Sequence, residues 1–283
     1  MKNLFIKQAM VLSLIVVNFF AYSQDAALLK YNFVKGKTYV IFSQLDNIVT
    51  QTMGGQEIKI EAGILSNSEM LVEGIDDKGN ITLLATLKNA SISTKIPAMG
   101  KDTTMNFSNL DEQRRVVLSS TGKQIASVNL NEEKVQKMIS SINQFTRLQN
   151  LPGKALKIGE KWNDKLIDST KASQQNPVNM VVTTDMEYTI VGKELKDGVE
   201  LLKIANSGAM SITGQGNMQG MELYVEGTGK SEGFSYFNPK ASMVVNTEAN
   251  IEMDMSIAVT GQQNMTMPMN QSMKAIVKIE EKK

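Results

Sequence analysis

The sequence predicts a mainly β protein, with long antiparallel strands in a curved sheet or open barrel and two related halves joined by one amphipathic helix. Three observations predict it. Apolar and polar residues alternate over stretches of about fifteen positions, which gives a strand one dry face and one wet face. Short turns bearing Gly or Asn separate these stretches, so neighbouring strands run antiparallel. Cysteine and histidine are both absent from the 283 residues, so no disulfide framework holds such a chain, only packing and sheet hydrogen bonds.

The elements follow in order. Lys2 and Lys7, an apolar run from Met10 to Phe20, and the small residues of Ala21-Tyr22-Ser23 predict a signal peptide over residues 1–23. The run is short of the roughly 20 residues a membrane-spanning helix needs. Cleavage near Ser23/Gln24 predicts an exported protein, periplasmic or extracellular. A first β half is expected over 24–130. In it, Asp76-Asp77-Lys78-Gly79-Asn80 separates Met70–Gly74 from Ile81–Ala85. That stretch has the oxygen density of a calcium-loop fragment but lacks alternate ligands and a distal Glu, so it reads as a hairpin turn.

A connecting segment over 131–152 holds the expected helix. Asn131 caps Glu132–Leu148, with Val135, Met138, Ile139, Ile142 and Phe145 on one stripe, and Pro152-Gly153 ends it. The second β half spans 153–283. Apolar residues take the even positions from Val178 to Ile190 and the odd positions from Val245 to Val259. Lys196-Asp197-Gly198 reads as a hairpin turn, and Gly261-Gln262 turns the chain into a last strand ending near Ile279. Pro268 cannot donate to a ladder, which predicts an edge or a bulge there. A shift of 118 residues carries Met70, Val72 and Gly74 onto Tyr188, Ile190 and Gly192, and Ile81 and Leu83 onto Val199 and Leu201. This predicts an internal duplication within one structural domain.

The leader, the helix, the segment Leu151-Pro152-Gly153-Lys154-Ala155-Leu156-Lys157-Ile158-Gly159-Glu160-Lys161-Trp162 and the long alternating strands resemble an uncharacterised secreted β-rich protein family of Bacteroidota, a domain of unknown function. The resemblance implies export and β architecture, and nothing about chemistry. A looser architectural likeness is to periplasmic lipoprotein carriers, in which a curved sheet wraps an apolar cavity.

Composition excludes several chemistries. Without His or Cys there is no Ser-His-Asp triad, thiol nucleophile or zinc knuckle. Lys and Arg total 30 against 29 acidic residues, which is not the basic surface of a nucleic-acid binder. Glu222, Glu226, Glu248, Glu252 and Asp254 share the polar parity of their strands, so they read as solubilising charges rather than a catalytic pair. The glycines of Gly214-Gln215-Gly216 and Gly227-Thr228-Gly229 open no helix and form no dinucleotide fingerprint. No catalytic residue, cofactor or metal is expected, and the chain is read as a non-enzyme.

Methionine is the compositional oddity, with 19 in the chain and most of them after Lys154. Folding the last hairpin about Gly261-Gln262 sets Met253 near Met269 and Met255 near Met267. Three readings stay open: gap-filling core, a pliable wall around an apolar ligand, and a Cu(I) site at Met265-x-Met267-x-Met269. On the second, Met180, Met186, Tyr188, Met253, Met255, Met265, Met267 and Met269 are the candidate lining residues. Aromatic residues make up only 6% of the chain, and it ends on Ile279-Glu280-Glu281-Lys282-Lys283. Neither suits the aromatic girdles of an outer-membrane barrel, so the expectation is a protein not integral to a membrane. The expected function is an exported non-catalytic protein binding a lipid or acyl chain within a Met-rich curved sheet. The alternative is a structural or partner-binding envelope protein with a solid core. Oligomeric state stays open.

Overall fold

The computed structural model describes residues 26–53, 55–131, 135, 147–172, 177–218, 220–261 and 264–283. The strands, in chain order, are β1 (Ala27–Leu28), β2 (Thr38–Met53), β3 (Gln56–Ile75), β4 (Ile81–Ile96), β5 (Lys101–Phe107), β6 (Glu112–Leu118) and β7 (Gln124–Asn129). They continue as β8 (Ala155–Leu156), β9 (Lys161–Thr170), β10 (Val178–Lys196), β11 (Val199–Met218), β12 (Met221–Asn238), β13 (Met243–Thr260) and β14 (Met265–Glu281). Twelve of them form one antiparallel sheet in the order β7-β6-β4-β3-β2-β14-β13-β12-β11-β10-β9, with β5 added on β4. The last strand pairs with β2 from Met269↔Gln51 to Glu281↔Tyr39, so strands from both ends of the chain share the sheet. The expected helix over Glu132–Leu148 falls almost entirely outside the described residues.

Strands of 16 to 20 residues twist too far to lie flat. The sheet curls until its two ends share a core: Val116 and Leu118 of β6 pack in one cluster with Trp162 of β9 and Tyr188 of β10. The barrel is not closed, and β7 and β9 remain its edges. Alternation sorts the faces. Along β13, Ile251, Met253 and Val259 are buried while Glu248, Asn250, Glu252 and Asp254 are exposed.

The interior divides along the strand direction. At one end, which we call the floor, lie the β3–β4, β6–β7, β10–β11 and β12–β13 turns. There Met70, Val72, Ile190, Ile204, Phe237 and Ile279 join one buried cluster. At the other end Leu45, Met210, Ile212, Val225, Ile251 and Met253 join a second. Between them the inward face carries buried Ser43, Ser66, Asn206, Ser231 and Ser235.

The floor is plugged by the segment before β2. Leu29, Tyr31 and Phe33 are buried, with Tyr31 and Phe33 stacked at 5.5 Å and Phe33 edge-on to Tyr39 at 5.1 Å. Its backbone is tied down by Tyr31 N–H donating to Ser120 O at 2.8 Å and Asn32 N–H to Ser242 O at 3.1 Å. Gly122 adopts φ +90°, and a Cβ there would stand 2.6 Å from the Tyr31 ring and 2.9 Å from the Gln149 carbonyl oxygen. No other residue fits.

Local chemistry explains the turns. Asp197 and Gly198 take φ 50° and 76°, the two positive values a two-residue hairpin loop demands. Asp76 Oδ1 accepts from the amides of Lys78 and Asn80 at 2.9 and 2.8 Å, so its carboxylate serves the turn. β-bulges fall at Val72/Gly74 in β3 and Ile190/Gly192 in β10, the positions related by the 118-residue shift. On the facing strands the shift slips by three: Val72 pairs with Leu83 but Ile190 with Ile204, not Leu201. The shorter β10–β11 loop is the cause.

Two further expectations change. In the last hairpin Met255 pairs with Met269, Ile257 with Met267 and Val259 with Met265. This is two residues from the register the sequence suggested, which leaves every side chain on its expected face. Pro268 lies in an interior strand, yet the β14–β2 ladder begins only at Met269. The missing donor falls where that ladder has stopped.

Candidate ligand-binding cavity

The curled sheet leaves a partly open cavity of about 410 Å³ above the floor, within the range of small-molecule sites. Its apolar wall includes Met70 of β3, Leu83 of β4, Val116 of β6, Met186 and Tyr188 of β10 and Val277 of β14. Its polar lining includes Asn206 of β11, Ser231 and Ser235 of β12, Thr247 of β13 and Gln149, together with the charged residues Arg114, Lys123, Arg147, Asp164 and Lys165. The reason for the space is legible on β12. There the inward positions read Leu223, Val225, Gly227, Gly229, Ser231, Gly233, Ser235 and Phe237, and the two that line the cavity, Ser231 and Ser235, are small where Val225 and Phe237 fill the apolar clusters on either side.

The cavity lies where the sheet edges approach, since Gln124 of β7 and Leu166 and Ile167 of β9 also line it. The segment 147–153 clasps this gap. Leu151 N–H donates to Thr121 O at 2.8 Å, and Asn150 Nδ2 donates to Asp164 Oδ2 at 2.8 Å. Tyr31 O–H donates to the Gln149 carbonyl at 2.9 Å, and Trp162 Nε1 donates to the Asn150 carbonyl at 3.3 Å. Arg147 pairs with Asp168 at 2.6 Å. These bonds fix the backbone that presents Gln149.

Trp162 stacks on Tyr188 with centroids 4.9 Å apart, so the only tryptophan sits against the cavity wall. Burial holds the Tyr31 hydroxyl protonated far above its ordinary range, with Tyr188 nearby adding to the shift. Tyr188 is raised likewise, by burial and then by the charge of Asp164. Neither is a base at neutral pH.

Inside the polar patch, Asn206 Nδ2 donates to Ser235 Oγ at 3.4 Å, and Thr247 Oγ1 donates to the same oxygen at 3.3 Å. Asn206 Oδ1 and both side-chain polar atoms of Gln149 are buried without a hydrogen-bond partner. The carboxylates Glu222, Glu226, Glu248, Glu252 and Asp254 are all exposed on the outward face.

Of the eight candidate lining residues, Met186 and Tyr188 line this cavity. Met253 is buried in the second cluster, with Met180, Met255 and Met267 half-buried against it. Met267 Sδ accepts from Gln51 Nε2 at 3.4 Å. Met269 is half-buried and Met265 exposed. The candidates therefore divide between the two ends rather than meeting at one place. Sequence reasoning missed Asn206, Ser231, Ser235 and Gln149. The first three carried a signal: they are polar residues at inward parity within strands whose other inward positions are apolar or Gly.

No family model and no curated protein matches the chain. Among solved structures, it is similar to an outer membrane channel from Pseudomonas putida F1, at 10% identity and TM-score 0.26, covering 89% of this chain and 98% of that one. It is also similar to the outer membrane protein OprG from Pseudomonas aeruginosa, at 8% identity and TM-score 0.23, covering 88% and 98% of the two chains. A third is the translocator domain of the autotransporter NalP from Neisseria meningitidis, at 7% identity and TM-score 0.18, covering 88% and 90%. At these identities the likeness assigns no activity. The expectation of a protein not integral to a membrane is corrected here, because the structures found are outer-membrane β proteins, and it is withdrawn.

Proposed function

We propose that the chain is an exported, non-catalytic envelope protein that holds an apolar ligand, a lipid or acyl chain, in the cavity of its curved sheet. The observation that carries this reading is the partly open cavity of about 410 Å³, with apolar residues drawn from both ends of the sheet in its wall. The exposed outward placement of the carboxylates supports a non-catalytic role. The delipidated protein should take up the environment-sensitive apolar probe N-phenyl-1-naphthylamine saturably, one per chain. Ser231→Phe, which fills the cavity, should abolish uptake. Uptake that does not saturate, or that survives Ser231→Phe unchanged, would overturn the reading.

A second reading, a partner-binding envelope protein, is favoured by β7. All six residues of this edge strand are exposed, Ile125 and Val128 to 56% and 55%, and an uncovered apolar edge is a place for another strand to pair.

A further inference from the structure

We propose that the floor of the curled sheet is a docking face for a bilayer surface bearing anionic lipid head groups. The segments at this end, 29–37, 76–80, 119–123, 153–160, 197–198, 239–242 and 282–283, hold ten lysines against four acidic residues. At the other end, the β2–β3, β4–β5, β9–β10, β11–β12 and β13–β14 connections hold one charged residue, Lys171. A chain that is almost neutral overall therefore concentrates positive charge on its floor.

The segment before β2 draws these loops into one face. Beyond its bonds to Ser120 and Ser242, Leu29 O accepts from Gly153 N–H at 3.0 Å and Gly36 N–H donates to Val72 O at 2.9 Å. Lys282 N–H donates to Thr38 O at 2.8 Å, and Lys37, Asp197 and Lys240 line one hollow. Among the described residues, Lys37 pairs with Glu281 and Lys282 with Glu69; the other eight lysines are exposed and form no ion pair. At the strand ends behind them the charges cancel: Arg115 pairs with Glu73 at 2.6 Å, Lys193 with Glu200 at 2.8 Å and Lys196 with Glu194 at 3.6 Å. Like charges gathered on one face repel, and an anionic partner supplies the missing sign. Leu28, Val34, Ile75 and Leu195 stand exposed on the same face, Leu195 to 73%. An acidic polysaccharide has no apolar layer for them, whereas a bilayer interface takes up apolar side chains between lysines drawn to its phosphates. Of the ten lysines only Lys123 also lines the cavity, so docking does not depend on ligand carriage.

The test is co-sedimentation of the purified protein with vesicles of phosphatidylcholine alone and of phosphatidylcholine mixed with phosphatidylglycerol. Binding should require phosphatidylglycerol and weaken about tenfold as salt is raised to about 0.5 M. Lys30→Gln, Lys35→Gln and Lys240→Gln combined should weaken it about a hundredfold. Lys101→Gln, Lys171→Gln and Lys230→Gln combined, exposed lysines away from the floor, change the net charge equally and should alter binding less than about threefold. Val34→Ser with Leu195→Ser should weaken binding about tenfold and leave its salt dependence. Ser231→Phe should bind the vesicles as the unaltered protein does; loss in that variant would place the lipid in the cavity and overturn the docking face. Equal binding to both vesicles, binding to neither, or equal loss in the two lysine triples would also overturn it. So would heparin binding that matches the vesicles and ignores the serine substitutions, which would assign the face to an acidic polymer.

Discussion

Met186 lies across Gly208, its direct partner in the β10–β11 ladder; a Cβ placed on Gly208 would stand 2.2 Å from the Met186 sulfur. The relationship recurs. Met253 covers Gly229 and Met255 covers Gly227, each ladder partners on β12 and β13, with the Met Cγ 2.6 Å from the position a Cβ would take. A thioether bends sideways into space that a glycine leaves, which a branched side chain could not do without strain. Part of the methionine content is thus matched to glycines on neighbouring strands.

Because Met186 also lines the cavity, Gly208→Val should push its thioether inward. The expected result is about tenfold weaker probe binding with the fold retained. Gly229→Ala, at the other end, meets Met253 and the Glu252 carbonyl oxygen at 2.7 Å. It should lower thermal stability with binding unchanged. A titration and a melting curve on each variant check both.

Met253→Leu and Met255→Leu conserve volume, so each should cost less than about 1.5 kcal/mol and leave probe affinity unaltered. Denaturant unfolding beside the same titration measures this. Loss of binding in either variant would move the ligand to the Met-lined end.

Gly122→Ala places a side chain at φ +90° against the Tyr31 ring. Left-handed backbone alone costs roughly 1–2 kcal/mol for a residue with a Cβ, and the contact adds to it. The melting temperature should fall by at least roughly 5 °C, as measured by circular dichroism. Gly36→Ala, also at positive φ but in open space, should cost less.

Tyr31 and Tyr188 titrate far above their ordinary value of 10.0 because burial disfavours the phenolate. The unfolded chain loses these protons near pH 10 while the folded chain keeps them. Their contribution to stability is therefore full below about pH 10 and declines as the pH rises beyond it. Absorbance at 295 nm followed through an alkaline titration should show these two tyrosines ionising together with loss of sheet structure, later than exposed Tyr224.

Much of the fold was legible because its signals are local. Asp197-Gly198 announces its hairpin by the φ values only such residues adopt, and the alternation from Val245 to Val259 orients β13 without reference to any neighbour. The β14–β2 pairing was not legible, since nothing near Ile279 specifies a partner more than two hundred residues away. The last hairpin's register slipped by two because a period of two leaves parity unchanged and faces alone cannot choose. For the site, Met186 and Tyr188 were found through their inward parity. Gln149 could not be, because it comes from an irregular segment whose place is set by Tyr31, Trp162 and Asp164 in three dimensions.

The most direct test is native mass spectrometry of the protein purified gently from its own envelope fraction. A carrier that holds its ligand in this cavity predicts a heterogeneous adduct of several hundred daltons that organic extraction removes and that Ser231→Phe prevents from forming. The bare chain mass, with no adduct on either the unaltered protein or the filled variant, would contradict ligand carriage.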